Sequence, residues 1–359
     1  MTSLFDPIRI GRIAAPNRIF MAPLTRARAT RDHVPTPVMA QYYAQRASAG
    51  LIISEATAIS REGMGWPYAP GLWTAAQVEA WKPVTDAVHE AGGRIVAQLW
   101  HMGRLVHPDF LDGAAPVSSS ATTAPAHAHT YAGKKPYEPA RPLRIDEIPR
   151  ILDDYVQAAR NAITAGFDGV QIHAANGYLI DQFMRNGSNL RDDDYGGPIP
   201  NRLRLLLEVT DAVTAEVGPD ATGVRFSPNG DRQGVNDSDP EALFAAAAEA
   251  LSQRRIAFLE VREPGFDGTF GKAERAPIAP HIRAAFDGPL VLNSDYRGDS
   301  AQQALEAGQA DAISFGRTFL ANPDLPARIR GNIPLNADNQ ATWYGPGTDG
   351  YVDYPIADA

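Results

Sequence analysis

Within the stretch GVQIHAANGYLIDQFM, Gly169 to Met184, an imidazole, a carboxamide and a phenol follow one another closely: His173, Asn176 and Tyr178. Each of these side chains can donate a hydrogen bond, and none is a carboxylate. Such a trio suits a site that holds an electron-rich oxygen and delivers one proton. The segment opens as an apolar strand and finishes as a helix, so the trio stands where a strand ends.

The elements that must position these residues can be counted along the chain. Short β-branched runs recur at 18–23, 51–56, 94–100, 169–173, 222–227, 257–262, 289–294 and 312–317. They read as nearly continuous apolar strands, which is the pattern of a parallel sheet covered on both faces. Between them, Val38–Ala49, Ala75–Ala91, Pro149–Ala165, Asn201–Val217, Pro240–Ser252 and Ser300–Ala307 carry apolar residues at spacings of three and four. Thr74 before the second helix and Gly92 after it are credible ends. Eight alternations of strand and helix predict an α/β fold, a closed (β/α)₈ TIM barrel, with a doubly wound open sheet as the runner-up. The segment from Arg104 to Arg144 breaks the rhythm: it is rich in Pro, Ala, Ser, Thr and His and has little helical periodicity. We read it as a lid-like excursion after the third strand, over the C-terminal mouth, within one domain spanning 1–359.

Composition bounds the chemistry. The 359 residues are 44% hydrophobic and 21% charged, as expected of a globular protein with a full core. No apolar run approaches the length of a membrane span, and MTSLFDPIRIGRI lacks a signal core, so the expected location is the cytoplasm. With no cysteine, thiolate zinc sites, iron–sulfur clusters and cysteine nucleophiles drop out together. A net charge of −9 without a basic run argues against nucleic acid as a partner. A ligand bearing phosphate would have to be gripped locally, by a few arginines and backbone N–H groups.

In a barrel the strand ends converge. They deliver Pro23, Leu24 and Thr25; Ala56; Gln98 and Trp100; His173; Arg225; Arg262; Asn293 and Ser294; and Gly316 and Arg317. An arginine beside a glycine at the end of strand eight lies where barrels commonly bind phosphate. The mouth is rich in donors and poor in carboxylates, which suits a phosphate-bearing, carbonyl-rich cofactor better than a metal.

These residues stand in segments that resemble the Old Yellow Enzyme family of FMN-dependent ene-reductases. The segments are APLTRAR at 22–28, SEAT at 54–57, AQLWHMGR at 97–104, HAANGYLIDQFMRNGSNLRDDDYGGPIPNR from 173, VRFSP at 224–228, FGRTFLANPDL at 315–325 and WYGPGTDGYVDYP at 343–355. The resemblance covers essentially the whole chain. It implies an FMN cofactor reduced by NADPH or NADH. Hydride then passes in ping-pong fashion through flavin N5 to the activated C=C of an enone or maleimide, or to a nitro compound. It implies further that His173 and Asn176 bind the substrate's activating oxygen and that Tyr178 protonates the alkene carbon. Thr25 would contact the flavin carbonyl, Gln98 and Arg225 the pyrimidine side, and Pro23, Leu24 and Ala56 the ring edge. Asn293, Ser294, Gly316 and Arg317 would belong to the phosphate end, and Trp66, Trp100, Phe266 and Tyr344 to the substrate pocket. Two donors preset for charge developing on the substrate oxygen would each lower the barrier by about 2.7–4 kcal/mol. A phenol, with an ordinary pKa of about 10, carries its proton at pH 7.

Several positions depart from the family's habit. Ser294 stands where relatives often have Gly, Trp66 where many have Tyr, and Phe266 where some have Trp; Thr25 replaces the Cys of another branch. The Asp192–Asp194 run and His127-Ala128-His129, with His101 or His107, imitate metal ligands. The alternatives are therefore a metal-dependent barrel hydrolase and a catalytically silent flavin-binding barrel. The chain is expected as a monomer or a homodimer.

Overall fold

The eight apolar runs become the staves of a closed barrel because each is buried on both faces. The computed structural model describes residues 2–230 and 232–357. Among these, β1 (Ile19–Met21), β2 (Ile52–Ala58), β3 (Ile95–Trp100), β4 (Gly169–His173), β5 (Thr222–Phe226), β6 (Phe258–Arg262), β7 (Leu290–Asn293) and β8 (Ala312–Phe315) form it. All pair in parallel with their sequence neighbours, and β8 closes on β1. The expected strand positions hold to within three residues at each end. The register sets Gln98 beside Gln171, His173 beside Arg225, Arg225 beside Glu260 and Asn293 beside Ser314. Polar residues from six strands thus fall into adjoining layers at one end of the barrel.

The other end is shut. A hairpin of Ile8–Ile10 and Ile13–Ala15 packs its isoleucines against Phe20, Ile53, Val96 and Val291 near the strands' N-terminal ends. Its turn needs Gly11: φ is 55°, and a Cβ there would sit 2.0 Å from the carbonyl oxygen of Asp220. Chemistry is left to the C-terminal mouth.

Helices cover the outside. Thr74 and Gln77 form a reciprocal cap at the start of helix Ala75–Glu90. Helix Ile148–Thr164 turns Ile151, Tyr155, Ala158 and Ala162 onto the strands. The helix expected over 38–49 spans Pro37–Ala44, because Arg46 Nη1 donates to the Tyr42 carbonyl at 2.9 Å and takes the acceptor the next helical turn would use. The one expected over 201–217 divides into Ile199–Arg202 and Arg204–Val217. Short helices at Leu179–Met184, Ala279–Ala285, Arg317–Ala321 and Leu325–Gly331 add to the six expected from periodicity.

The segment after β3 is wound rather than loose. Val117–Ser118 pairs with Arg141–Pro142, and His127–Thr130 pairs with Gly133–Pro136 in a hairpin. Gln182, on the short helix after β4, fastens it. Its Oε1 accepts from Ser118 Oγ at 2.8 Å and from the Arg104 amide at 3.1 Å, while its Nε2 donates to the carbonyls of Gly177 and Met102. No helix among the described residues is long and apolar enough to cross a membrane.

Candidate active site

The turn that follows β4 explains how His173, Asn176 and Tyr178 come together. Asn176 and Gly177 both adopt positive φ, 56° and 77°, reversing the chain directly above the strand. The Asn176 amide donates to Ser227 Oγ at 2.7 Å and the Gly177 amide to Asp181 Oδ2 at 2.9 Å; Asp181 is itself held by Arg185 at 2.8 Å in a buried ion pair. Tyr178 then occupies the position just before helix Leu179–Met184. Its ring stands edge-on to His173, with centroids 4.9 Å apart, and to Trp100 at 5.0 Å. Wedged between two buried rings, the phenol has a fixed bearing.

His173 is buried, and its Nδ1 has no hydrogen-bond partner; Asn176 Oδ1 is buried and unpartnered as well. Burial, with the positive charge of Arg225 next in importance, holds the imidazole well below its ordinary pKa of 6.5. It is neutral at pH 7 and offers one N–H.

Beside this trio lies a floor of inward-pointing polar side chains. Gln98 Nε2 donates to Gln171 Oε1 at 2.8 Å, and Gln171 Nε2 donates to Glu260 Oε2 at 2.8 Å. Glu260 also accepts from Ser314 Oγ at 2.6 Å and lies 2.5 Å from Arg225 Nη1 in an ion pair. Arg225 Nη2 donates to Asn293 Oδ1 at 2.9 Å, and Asn293 Nδ2 to the Ser314 carbonyl at 2.7 Å. Arg225 Nε, buried, has no hydrogen-bond partner. A desolvated guanidinium with an unmet N–H is costly unless a ligand completes it.

The floor opens into a cleft of about 570 Å³. Pro23, Leu24 and Thr25 line one wall; Asn293, Ser294, Gly316 and Arg317 line another; Asn176, Arg225 and Tyr344 also reach it. At its far end the backbone is strained in two successive residues, Ser294 at φ 137° and Asp295 at φ 25°. The conformation of Ser294 is one that glycine adopts readily. Gly316 precedes helix Arg317–Ala321, and Arg317 Nη2 pairs with Asp295 Oδ1 at 2.9 Å and with Thr269 Oγ1. Ala56, Gln98, Trp100, His173 and Tyr178 stand beside the cleft and do not line it. Trp66 packs at a tilt against His129, with centroids 4.6 Å apart, and against Tyr344 at 5.1 Å, forming an aromatic cluster that reaches the cleft through Tyr344. Phe266 is 59% exposed and lies outside the cleft lining, whereas Phe270 is part of it.

Gln171, Glu260, Thr269, Phe270 and Asp295 belong to this neighbourhood and were not singled out from the sequence. Gln171 and Glu260 did carry a signal: each is a polar residue in the middle of an otherwise apolar stretch of strand, two positions before the polar residue that ends it, in GVQIH and FLEVR. Among the described residues no three His, Asp or Glu groups cluster as metal ligands. Asp193 is tied to Arg191, and His127 sits exposed on the hairpin.

Residues 3–336 match the model of the NADH:flavin oxidoreductase / NADH oxidase family. The chain is 44% identical over 358 residues to the putative 12-oxophytodienoate reductase 3 of Oryza sativa subsp. japonica, covering 98% of this chain and 92% of that protein. The solved structure of an old yellow enzyme homologue from Zymomonas mobilis superposes with a TM-score of 0.98 at 62% identity, covering 99% of this chain and all of the other. Morphinone reductase in complex with tetrahydroNAD gives 0.94 at 44% identity, over 100% of this chain and 98% of that one.

Proposed function

The chain belongs to the NADH:flavin oxidoreductase / NADH oxidase family, and from that premise we propose that it is an FMN-dependent ene-reductase. It takes reducing equivalents from NADPH or NADH and delivers them to the activated C=C bond of small α,β-unsaturated carbonyl or nitro compounds, maleimides among them. The residues present fit FMN. A buried arginine N–H without a partner and a cleft that ends at Gly316 and Arg317 suit a carbonyl-rich ring with an anionic tail. FMN, when bound, supplies the two-electron exchange that no side chain can perform.

The chain's own residues supply the rest. Arg225, Gln98 and Thr25 would hold the ring, and Arg317, which here pairs with Asp295, would hold the phosphate. His173, neutral because it is buried beside Arg225, donates an N–H to the substrate's activating oxygen. Asn176 adds its carboxamide N–H, held above β4 by the bond from its amide to Ser227. These donors draw electron density from the alkene and stabilise the oxygen as it becomes negative, each by about 2.7–4 kcal/mol. Tyr178 keeps its proton for the carbon beside the activating group, with its ring clamped between His173 and Trp100. The aromatic cluster of Trp66 and Tyr344 sets which substituents fit above.

The observation that carries this reading is the buried His173, its Nδ1 without a hydrogen-bond partner, directly beside Arg225 in a chain of this family. The purified protein should be yellow, bleach anaerobically with NADPH or NADH, and regain colour on addition of an enone. A colourless protein that takes up no FMN overturns it.

A further inference from the structure

We propose that Glu260 is a positioning residue: its carboxylate fixes which atoms the floor of the site turns toward the cofactor. The inference rests on FMN occupying that floor. Glu260 is fully buried, and two donors and a guanidinium converge on it from β4, β8 and β5: Gln171 Nε2 at 2.8 Å and Ser314 Oγ at 2.6 Å in hydrogen bonds, and Arg225 Nη1 at 2.5 Å in an ion pair.

A carboxylate only accepts hydrogen bonds. Gln171 must therefore present its NH₂ to Glu260, and its Oε1 is then bound to face β3. There it accepts from Gln98 Nε2 at 2.8 Å. With that NH₂ committed to the barrel, Gln98 turns its Oε1 the other way. One charge thus sets the orientation of two amides in series, neither of which touches it and the cofactor together. The same carboxylate pairs with Arg225, whose Nη2 meets Asn293 and whose Nε and Nη1 are left without a hydrogen-bond partner. The outcome is a floor with an acceptor at Gln98 and a donor at Arg225. The pyrimidine ring of FMN, whose single N–H is flanked by two carbonyls, calls for both kinds of group.

Acceptor and charge can be removed separately. Gln171 and Arg225 both face Oε2, whereas Oε1 faces Ser314, whose hydroxyl can donate or accept. In Glu260→Gln an amide oxygen at the Oε2 position keeps Gln171 and Gln98 as they are, with the NH₂ toward Ser314, and only the charge is lost. Glu260→Leu removes the acceptor as well, so that nothing orients Gln171 or, through it, Gln98. In both variants Arg225 loses its counter-charge, which favours negative charge on a nearby reduced ring.

The test titrates the flavin-free protein with FMN and measures the midpoint potential of the bound flavin. Glu260→Leu should weaken FMN binding at least tenfold and move the potential positive. Glu260→Gln should keep FMN affinity to within about threefold of the unmutated protein while its potential is still displaced, because Arg225 has lost its counter-charge. A purely packing role for Glu260 would lower the melting temperature without moving the potential in either variant, and that result overturns the proposal. So does a Glu260→Gln protein that binds FMN as weakly as Glu260→Leu. If Glu260→Leu does not fold, Glu260→Gln decides alone: retained affinity with a displaced potential supports the proposal, and an unmoved potential overturns it. If the unmutated protein takes up no FMN, the cofactor assignment itself fails, which is a different result.

Discussion

Glu55 offers the sharpest test of the energetics around the site. It sits in β2, next to Ala56, with its carboxyl group fully buried; it accepts the backbone N–H groups of Arg26 and Ala27 at 3.2 and 3.3 Å, directly after Thr25. Burial raises its pKa from the ordinary 4.5 to about 7, against the pull of those two amides and of the Arg26 and Arg28 charges. The folded chain therefore binds a proton at Glu55 between pH 4.5 and 7 that the unfolded chain has released. Stability from this group is fully present below pH 4.5 and is lost as pH rises toward 7 and beyond. Two and a half pH units at 1.36 kcal/mol each amount to about 3 kcal/mol. Glu55→Gln keeps an oxygen for the two amides and cannot ionise. Urea unfolding of both proteins at pH 5, 6, 7 and 8, with FMN at a fixed excess, should show the variant gaining on the unmutated chain by up to about 3 kcal/mol across the series. Two curves that run parallel from pH 5 to 8 would refute the reasoning, since no proton would then be held at Glu55 in the folded state.

Other perturbations bear on the site itself. Tyr178→Phe preserves the edge-on packing against His173 and Trp100, so reduction by NAD(P)H should be unchanged while enone turnover slows by about 10²–10⁴; equal slowing of both half-reactions in stopped flow would remove Tyr178 from the acid's role. Ser294→Gly relieves a residue held at φ 137°, worth about 1–3 kcal/mol, and costs about 0.5–1 kcal/mol in chain entropy, so a raised urea midpoint is expected and a lowered one contradicts the strain. Arg317→Ala removes a charge-assisted phosphate contact worth about 1.5–3 kcal/mol, and calorimetric titration should show FMN binding about ten- to a hundredfold weaker, with riboflavin, which lacks the phosphate, hardly affected.

The barrel was legible because parallel strands buried on both faces leave long apolar runs, and the eight runs fall where the strands are. The strand ends were legible for the same reason: once the alternation is counted, His173, Arg225, Asn293 and Arg317 must approach one mouth. Helix Leu179–Met184 shows no amphipathic period, because all six of its residues are buried, and was legible only as the end of the segment that opens with β4. The hairpin of HAHT and GKKP is polar and leaves no strand pattern. The floor was half visible. Gln98 and Arg225 drew attention, whereas Gln171 and Glu260 are equally polar interruptions whose partners lie 35 to 89 residues away. Local spacing cannot disclose which of several lone polar residues will be neighbours; only the register does.

Arg26 and Arg28, directly after Thr25, and Arg46, just beyond helix Pro37–Ala44, hold the C-terminal segment by its main chain. Arg26 donates to the carbonyls of Thr342, Trp343 and Gly350, Arg28 to those of Thr342, Trp343, Gly347 and Asp349, and Arg46 to that of Tyr351. Carbonyl oxygens are common to every amino acid. The path of this strap along the cleft is thus secured largely through its main chain, and Tyr344, which carries none of these bonds, can be exchanged without unfastening it. The rim facing the substrate is the part of this enzyme best suited to being rewritten, by evolution or by design, while the machinery beneath stays in register.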